Sequence, residues 1–364
     1  MILQEIISLL EETVPAALQE NYDNSGLIVG DAKDIVTGIL LCVDVTEEVI
    51  DEAILKKTNL IISHHPIIFG SITRLTGNSY VQRCAIKAVR HKIALYTMHT
   101  NLDNVNHGVS HKMALKLGLK NITVLAPLKE KLVKLVFFTP VKEAEKVRMA
   151  IFKEGAGVIG PYDCCSFNVE GQGTFRPGEN TNPYVGAKGE MHTENEVRTE
   201  TIMPNYLLNK VLETIKKVHP YEEVAYDAYP LLNTFDQAGT GALGSLEPAE
   251  SETSFLEKIK LTFNAKCVRH TRLLNKPVKK VALCGGSGSQ FLSNALKAHA
   301  DIYISSDFKY HQFFDADNKL IIADIGHYES EQHSVEIIYD LLTKKITNFA
   351  VHFSSVNTNP INYF

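Results

Sequence analysis

The run Gly38–Pro66, "GILLCVDVTEEVIDEAILKKTNLIISHHP", decides the fold class. Gly38–Val45 is an apolar, partly β-branched run that suits a strand buried on both faces. "TEEVIDEAILKK" has the pattern of a helix, and "NLIISHH" returns to strand. Strand, helix and strand in that order make a βαβ unit. The second strand stops at two adjacent histidines and a proline. Neighbouring side chains on a regular strand point to opposite faces, so simple alternation cannot aim both rings at one ion. His64 and His65 are therefore expected to serve two targets, unless one of them is incidental.

The pattern continues outward. A loop to Asn78 leads to the helical "YVQRCAIKAVRHK", the strand "IALYTMH" and the helical "GVSHKMALKLGL". The last third repeats the style. Strands are expected at "KKVALCGG", "ADIYISSD", "KLIIADIGH" and "NFAVHFSS", and helices at "SQFLSNALKAHA", "KYHQFFDAD" and "EQHSVEIIYDLLTKK". The fold class is α/β, with mostly parallel sheets flanked by helices over 1–126 and 247–364. Residues 127–246 read differently, as β-α-β-β-α-β, which predicts an inserted α+β ferredoxin-like domain. "QAGTGALGSL" is expected to be its return linker.

Length and composition set the bounds. A chain of 364 residues exceeds one compact core. A net charge of −5 and a pI near 6.3 argue against nucleic acid as a partner. There is no run of 18 apolar residues, so no membrane-spanning helix is expected. "MILQEIISLLEETVP" reads as an amphipathic helix, not a signal peptide. The six cysteines include no Cys-x-x-Cys, and reduced thiols with a cytoplasmic home are expected.

Histidines and carboxylates gather where strands end. His64 and His65 close one strand, His99 and Asp103 follow the next, Asp307 and His311 follow a third, and His327 and Glu331 a fourth. In open α/β sheets ligands bind beyond the carboxyl ends of the strands, so one sheet would bring all four clusters to one rim. Taken singly, each has a plain structural reading. Pro66 biases His65 towards an extended backbone, Asp103 suits a cap, and His327 with Glu331 suits a surface pair. Taken together they suggest two divalent ions about 3.5–4 Å apart. The metal ligands would be His64, His65, Asp103, His327 and Glu331, with Glu331 bridging. Zn is the leading candidate, with Mn, Fe or Ni as alternatives. His99 and His311 are the candidate proton carriers, although His99 also suits a ligand-orienting role. "LCGGSGSQ" fits either an anion cradle or a tight strand-to-helix turn, and Asp23 either a cleft wall or a local turn.

The ordered motifs "DNSGL", "SHHP", "HTNLD", "GGSGS", "SSDFKYH" and "GHYESE" resemble the Nif-three-like family, whose members are also called GTP cyclohydrolase 1 type 2 homologs. The resemblance implies a dinuclear metal site at the positions of His64, His65, Asp103, His327 and Glu331. It also implies a ring-shaped homohexamer and a PII-like insert. One departure is "SSD" where the family pattern has Thr-Gly-Asp, which leaves any role of Asp307 open. The resemblance further implies a metal-dependent hydrolase acting on a small molecule such as a nucleotide. There, a metal-bridging hydroxide would attack the guanine carbon between N7 and N9. The competing readings are a regulatory or scaffold protein with a structural metal centre and a small-molecule-sensing insert, and a two-metal phosphoesterase.

Overall fold

A computed structural model describes residues 1–347 and 349–364. The chain divides into two compact units, Met1–Ala126 with Ala238–Phe364, and Pro127–Gln237. Strands are numbered β1 to β15 along the chain.

In the first unit, β1 (Gly26–Val29), β2 (Ile39–Cys42), β3 (Leu60–Ser63), β4 (Ala94–Thr97) and β15 (Val351–Phe353) form a sheet ordered β1-β4-β3-β2-β15. All its pairs are parallel except β1 with β4. The expected final strand began at Asn348, which lies outside the described residues. Every residue of β2, β3 and β4 is buried, because helices cover both faces. Ile39, Leu41, Leu60, Ile62 and Tyr96 face the amphipathic helix Leu3–Glu11, and the alternate Leu40, Ile61 and Leu95 face Val49, Ile50 and Cys84. Thr46 starts the helix Glu47–Lys56 by accepting a 3.3 Å hydrogen bond from the amide of Val49.

A second sheet of the same unit holds β5 (Lys120–Leu128), β10 (Phe235–Glu250), β11 (Arg269–His270), β12 (Val278–Ser287), β13 (Ile302–Ser306) and β14 (Ile321–Asp324). Its order is β11-β14-β13-β12-β10-β5, with β12, β13 and β14 parallel, β11 antiparallel to β14 and β10 antiparallel to β12. The strand-end clusters therefore do not belong to one sheet. His64, His65, His99 and Asp103 follow strands of the first, and Asp307, His311, His327 and Glu331 follow strands of the second. Two carboxyl rims supply the site, not one.

The helix Glu252–Thr262 packs Phe255 and Ile259, with Phe263 just beyond its end, into the core of the second sheet, and none of the three is exposed. Phe255→Ala is expected to cost about 3–5 kcal/mol through lost burial and a residual cavity. Urea unfolding would check this, and a loss under about 1 kcal/mol would mean that the helix repacks.

The other unit contains β6 (Leu132–Pro140), β7 (Ser166–Phe175), β8 (His192–Pro204) and β9 (Tyr226–Pro230), with helices Ala144–Lys153 and Leu208–Val218. The sheet is ordered β7-β8-β6-β9 and every pair is antiparallel. This is the split β-α-β arrangement of a ferredoxin-like fold. The expected return boundary at residue 246 moves to 237. "QAGTGALGSL" is no linker, because Ala242–Ser245 pair with Lys280–Leu283 of β12 and Gly241 packs on the carbonyl of Leu283. The glycines there allow close packing of strands, which sequence alone reads as a flexible turn.

Candidate metal centre

The parallel register aligns Cys42, Ser63 and Thr97 at the ends of β2, β3 and β4. The amides of His64 and His65 continue the ladder by donating to the carbonyls of Cys42 and Val43. Their rings lie 4.9 Å apart, centroid to centroid. The short helix His327–Glu331 follows β14 and brings His327 and Glu331 to the same point.

Glu331 is the hub. Its Oε1 lies 3.6 Å from His64 Nε2, and its Oε2 lies 2.8 Å from His65 Nε2 and 3.0 Å from His327 Nε2. Asp103 Oδ1 stands 3.9 Å from His64 Nε2. The two histidines of the adjacent pair thus meet different oxygens of one carboxylate. His64 with Asp103 makes one half of the cluster, and His65 with His327 the other.

Each imidazole is held by its far nitrogen. Nδ1 of His64 faces the carbonyl of Met98 at 2.9 Å, and Nδ1 of His65 faces Asp44 at 2.8 Å. Nδ1 of His327 faces Asp307 at 2.6 Å. All three partners are acceptors, so Nδ1 carries the proton and Nε2 is directed inward. Between them, His65 and His327 bring their Nε2 atoms to 3.3 Å. Among the described residues, His64 Nε2 and Asp103 Oδ1 are buried without a hydrogen-bond partner. Buried polar atoms are ordinarily paired, and these two face each other across 3.9 Å. The buried His64, His65 and Glu331 cluster could hold a metal ion, and its nitrogen and carboxylate donors fit a divalent transition metal.

Without a cation, protons fill this role. Burial pushes the His65 imidazolium down, yet Asp44 and Glu331 hold it up to about 10. At His327 burial is likewise outweighed by the Glu331 charge and the Asp307 hydrogen bond, which hold it up to about 11. Burial and the charge of Glu331 push Asp103 up to about 7. Burial opposes the Glu331 charge, but His327 and His64 keep its carboxyl well below the usual carboxylate range. Both histidine pKa values are raised above the unfolded value. Their stabilisation of the metal-free fold is therefore complete below about pH 6.5 and lost as pH rises through about 10 to 11. Metal must displace these protons, so uptake near pH 7.5 is expected to release about two protons per chain. Affinity should climb with pH until the two histidines are neutral. Calorimetry in buffers of different ionisation enthalpy measures the release, and an affinity independent of pH would contradict it.

His99 stands at the edge of the cluster, its ring centroid 5.4 Å from His64 and 5.3 Å from His65. Asp23 orients it, accepting at 2.7 Å from Nδ1 while also accepting from Thr100 and Ser25. Burial opposes the Asp23 charge, but these bonds hold its carboxyl far below the usual range. Asp23 is thus more than a local turn. His311 stands apart: it is exposed, and its ring rests on Tyr310 and Phe314, because the 3-10 helix beginning at Tyr310 turns it outward.

The glycine-rich turn is shaped by the carboxylate beside it. The amides of Gly285 and Gly286 are already donated to Ser110 and Ser330, which disfavours an anion cradle. Gly286 has φ +60°, and a Cβ there would lie 2.1 Å from Glu331 Oε1. Asp44 escaped the sequence reading, although a lone acid ending an apolar strand run was the available signal.

The Duf34/NIF3 (NGG1p interacting factor 3) family matches residues 1–360. A GTP cyclohydrolase 1 type 2 homolog of Halalkalibacterium halodurans is 39% identical over 365 residues, 99% of this chain and 98% of the other. That of Bacillus subtilis is 36% identical over 370 residues, with the same coverage. The crystal structure of a Bacillus cereus protein related to NIF3 superposes with a TM-score of 0.87 at 38% identity, covering 100% of this chain and 99% of that one. A Staphylococcus aureus structure does so with a TM-score of 0.79 at 30% identity and the same coverage.

Proposed function

Because the chain belongs to the Duf34/NIF3 family, we propose that it is a metal-dependent hydrolase of the GTP cyclohydrolase kind suggested by its relatives' names. The observation that carries this reading is Glu331, whose two oxygens face different histidine sets at 3.6 Å and 2.8 Å. His64, Asp103 and Glu331 would hold one divalent ion, and His65, His327 and Glu331 a second. Zinc suits the donors best, with manganese, iron or nickel as alternatives. Such ions supply Lewis-acid activation of water and neutralise developing charge.

The chain's own residues do the rest. Asp44, Asp307 and the Met98 carbonyl fix the three imidazoles so that Nε2 faces inward. His327 is 36% exposed at its side chain while Glu331 is 3% exposed, so the approach for a small molecule lies on the His327 side. Asp23 keeps Nδ1 of His99 protonated, and Nε2 of His99 is then the atom that accepts and returns a proton. No step falls to His311. Assembly as a homohexamer belongs to this proposal, and native mass spectrometry would test it.

The functional test is GTP turnover by the zinc- or manganese-loaded protein, set against Glu331→Ala under the same conditions. Turnover is expected only with Glu331 in place. Equal rates in the two proteins would overturn the mechanism.

A further inference from the structure

The segment after β15 has no regular secondary structure, yet it is pinned along its length. Ser354 donates its amide to the carbonyl of Leu41 at 2.8 Å, and Ser354 and Ser355 together give four hydrogen bonds to Glu52. Val356 packs against the apolar layer of the helix Glu47–Lys56. The chain then reaches the metal centre. Thr358 Oγ1 donates at 2.8 Å to Oδ2 of Asp44, whose Oδ1 holds Nδ1 of His65. Asn359 Nδ2 donates at 3.0 Å to Oε1 of Glu329. Glu329 is 6% exposed and sits on the helix that carries His327 and Glu331. Its carboxylate is wedged against Gly326, where a Cβ would lie 2.2 Å from Oε2.

We propose that Ser354–Asn359 is a strap that positions the metal centre, with Thr358 fixing Asp44 and so His65, and Asn359 fixing Glu329 and so the helix of His327 and Glu331. The inference rests on the metal-binding reading above. His65 follows a strand of the first sheet and His327 a strand of the second, and the same segment grips the supports of both. Anchorage at Glu52 holds the segment in register, so Thr358 and Asn359 arrive side by side at the two supports. Both are positioning residues, because neither touches the cluster itself.

Partners that orient a metal-bound histidine usually matter about 10- to 100-fold in affinity. Thr358 acts one bond further out, so Thr358→Val is expected to weaken one ion of the pair by about tenfold. The test compares wild type, Thr358→Val and Thr358→Ser by zinc titration against a chromophoric chelator, with the visible spectrum of the cobalt-loaded protein as second readout. The strap predicts one weakened ion and an altered cobalt spectrum in Thr358→Val, both restored in Thr358→Ser. Thermal melts confirm that the variants fold. A strap that only stabilised the fold would lower the melting temperature and leave zinc affinity and the cobalt spectrum alone. Wild-type affinity in Thr358→Val, or no restoration by serine, would overturn the inference. A wild-type protein that takes up no zinc would instead overturn the metal reading beneath it.

Discussion

Gly286→Ala is expected to abolish metal uptake while leaving most of the fold intact. The backbone there sits at φ +60°, which alanine adopts only with strain. The larger effect is steric. The new methyl would stand 2.1 Å from Glu331 Oε1 and 3.0 Å from its carboxyl carbon. Glu331 has little room to retreat, since it is 3% exposed and its other oxygen lies against His65 and His327. The carboxylate must swing away, and both halves of the cluster lose a donor together. A weakening of more than about 100-fold is expected, beyond what loss of a supporting partner costs. Gly118→Ala is the control, because Gly118 has φ +76° and open space around its Cβ position. It shares the backbone strain without the collision, so it should cost stability alone. Chelator competition on both variants separates the two effects. Wild-type affinity in Gly286→Ala would mean that the carboxylate is free to move.

Glu331→Ala is expected to empty the cluster, whereas Asp103→Ala should spare about one ion. Glu331 faces His64 through one oxygen and His65 with His327 through the other, so its loss removes a donor from both halves. Asp103 approaches only the His64 side. In Glu331→Ala the charge that helps to raise His65 and His327 is also gone, so both should release their protons at lower pH than about 10 and 11. Elemental analysis gives the ion count, and histidine proton resonances followed through a pH titration give the second readout. Retention of both ions by Glu331→Ala would remove the bridging role.

The α/β class was legible because strands buried on both faces are written as near-continuous apolar runs. "ILLC" and "LIIS" are both fully buried. The clusters were legible because His and Asp ending such runs have no reason to be in a core. What the letters did not carry was the partition between sheets. Strand order comes from pairing between distant segments, and β12 lies beside β10 as well as β13. The return from the insert misled for a related reason. Glycines in "QAGTGALGSL" permit tight strand packing, and the same residues in isolation read as a turn. Gly286 shows the limit most clearly, since its reason is a carboxylate 45 residues further along the chain. The supports of the centre were hidden likewise. Thr358 and Asn359 are ordinary polar residues until the fold sets them beside Asp44 and Glu329.

The central claim is that Glu331 and its two histidine sets hold a pair of divalent ions. The most direct measurement is the metal content of the wild-type protein, loaded with zinc, freed of excess ion by gel filtration and weighed by native mass spectrometry. The predicted result is about two zinc ions per chain, both removed by a strong chelator. A chain that retains no zinc, or that saturates at a single ion, would contradict it.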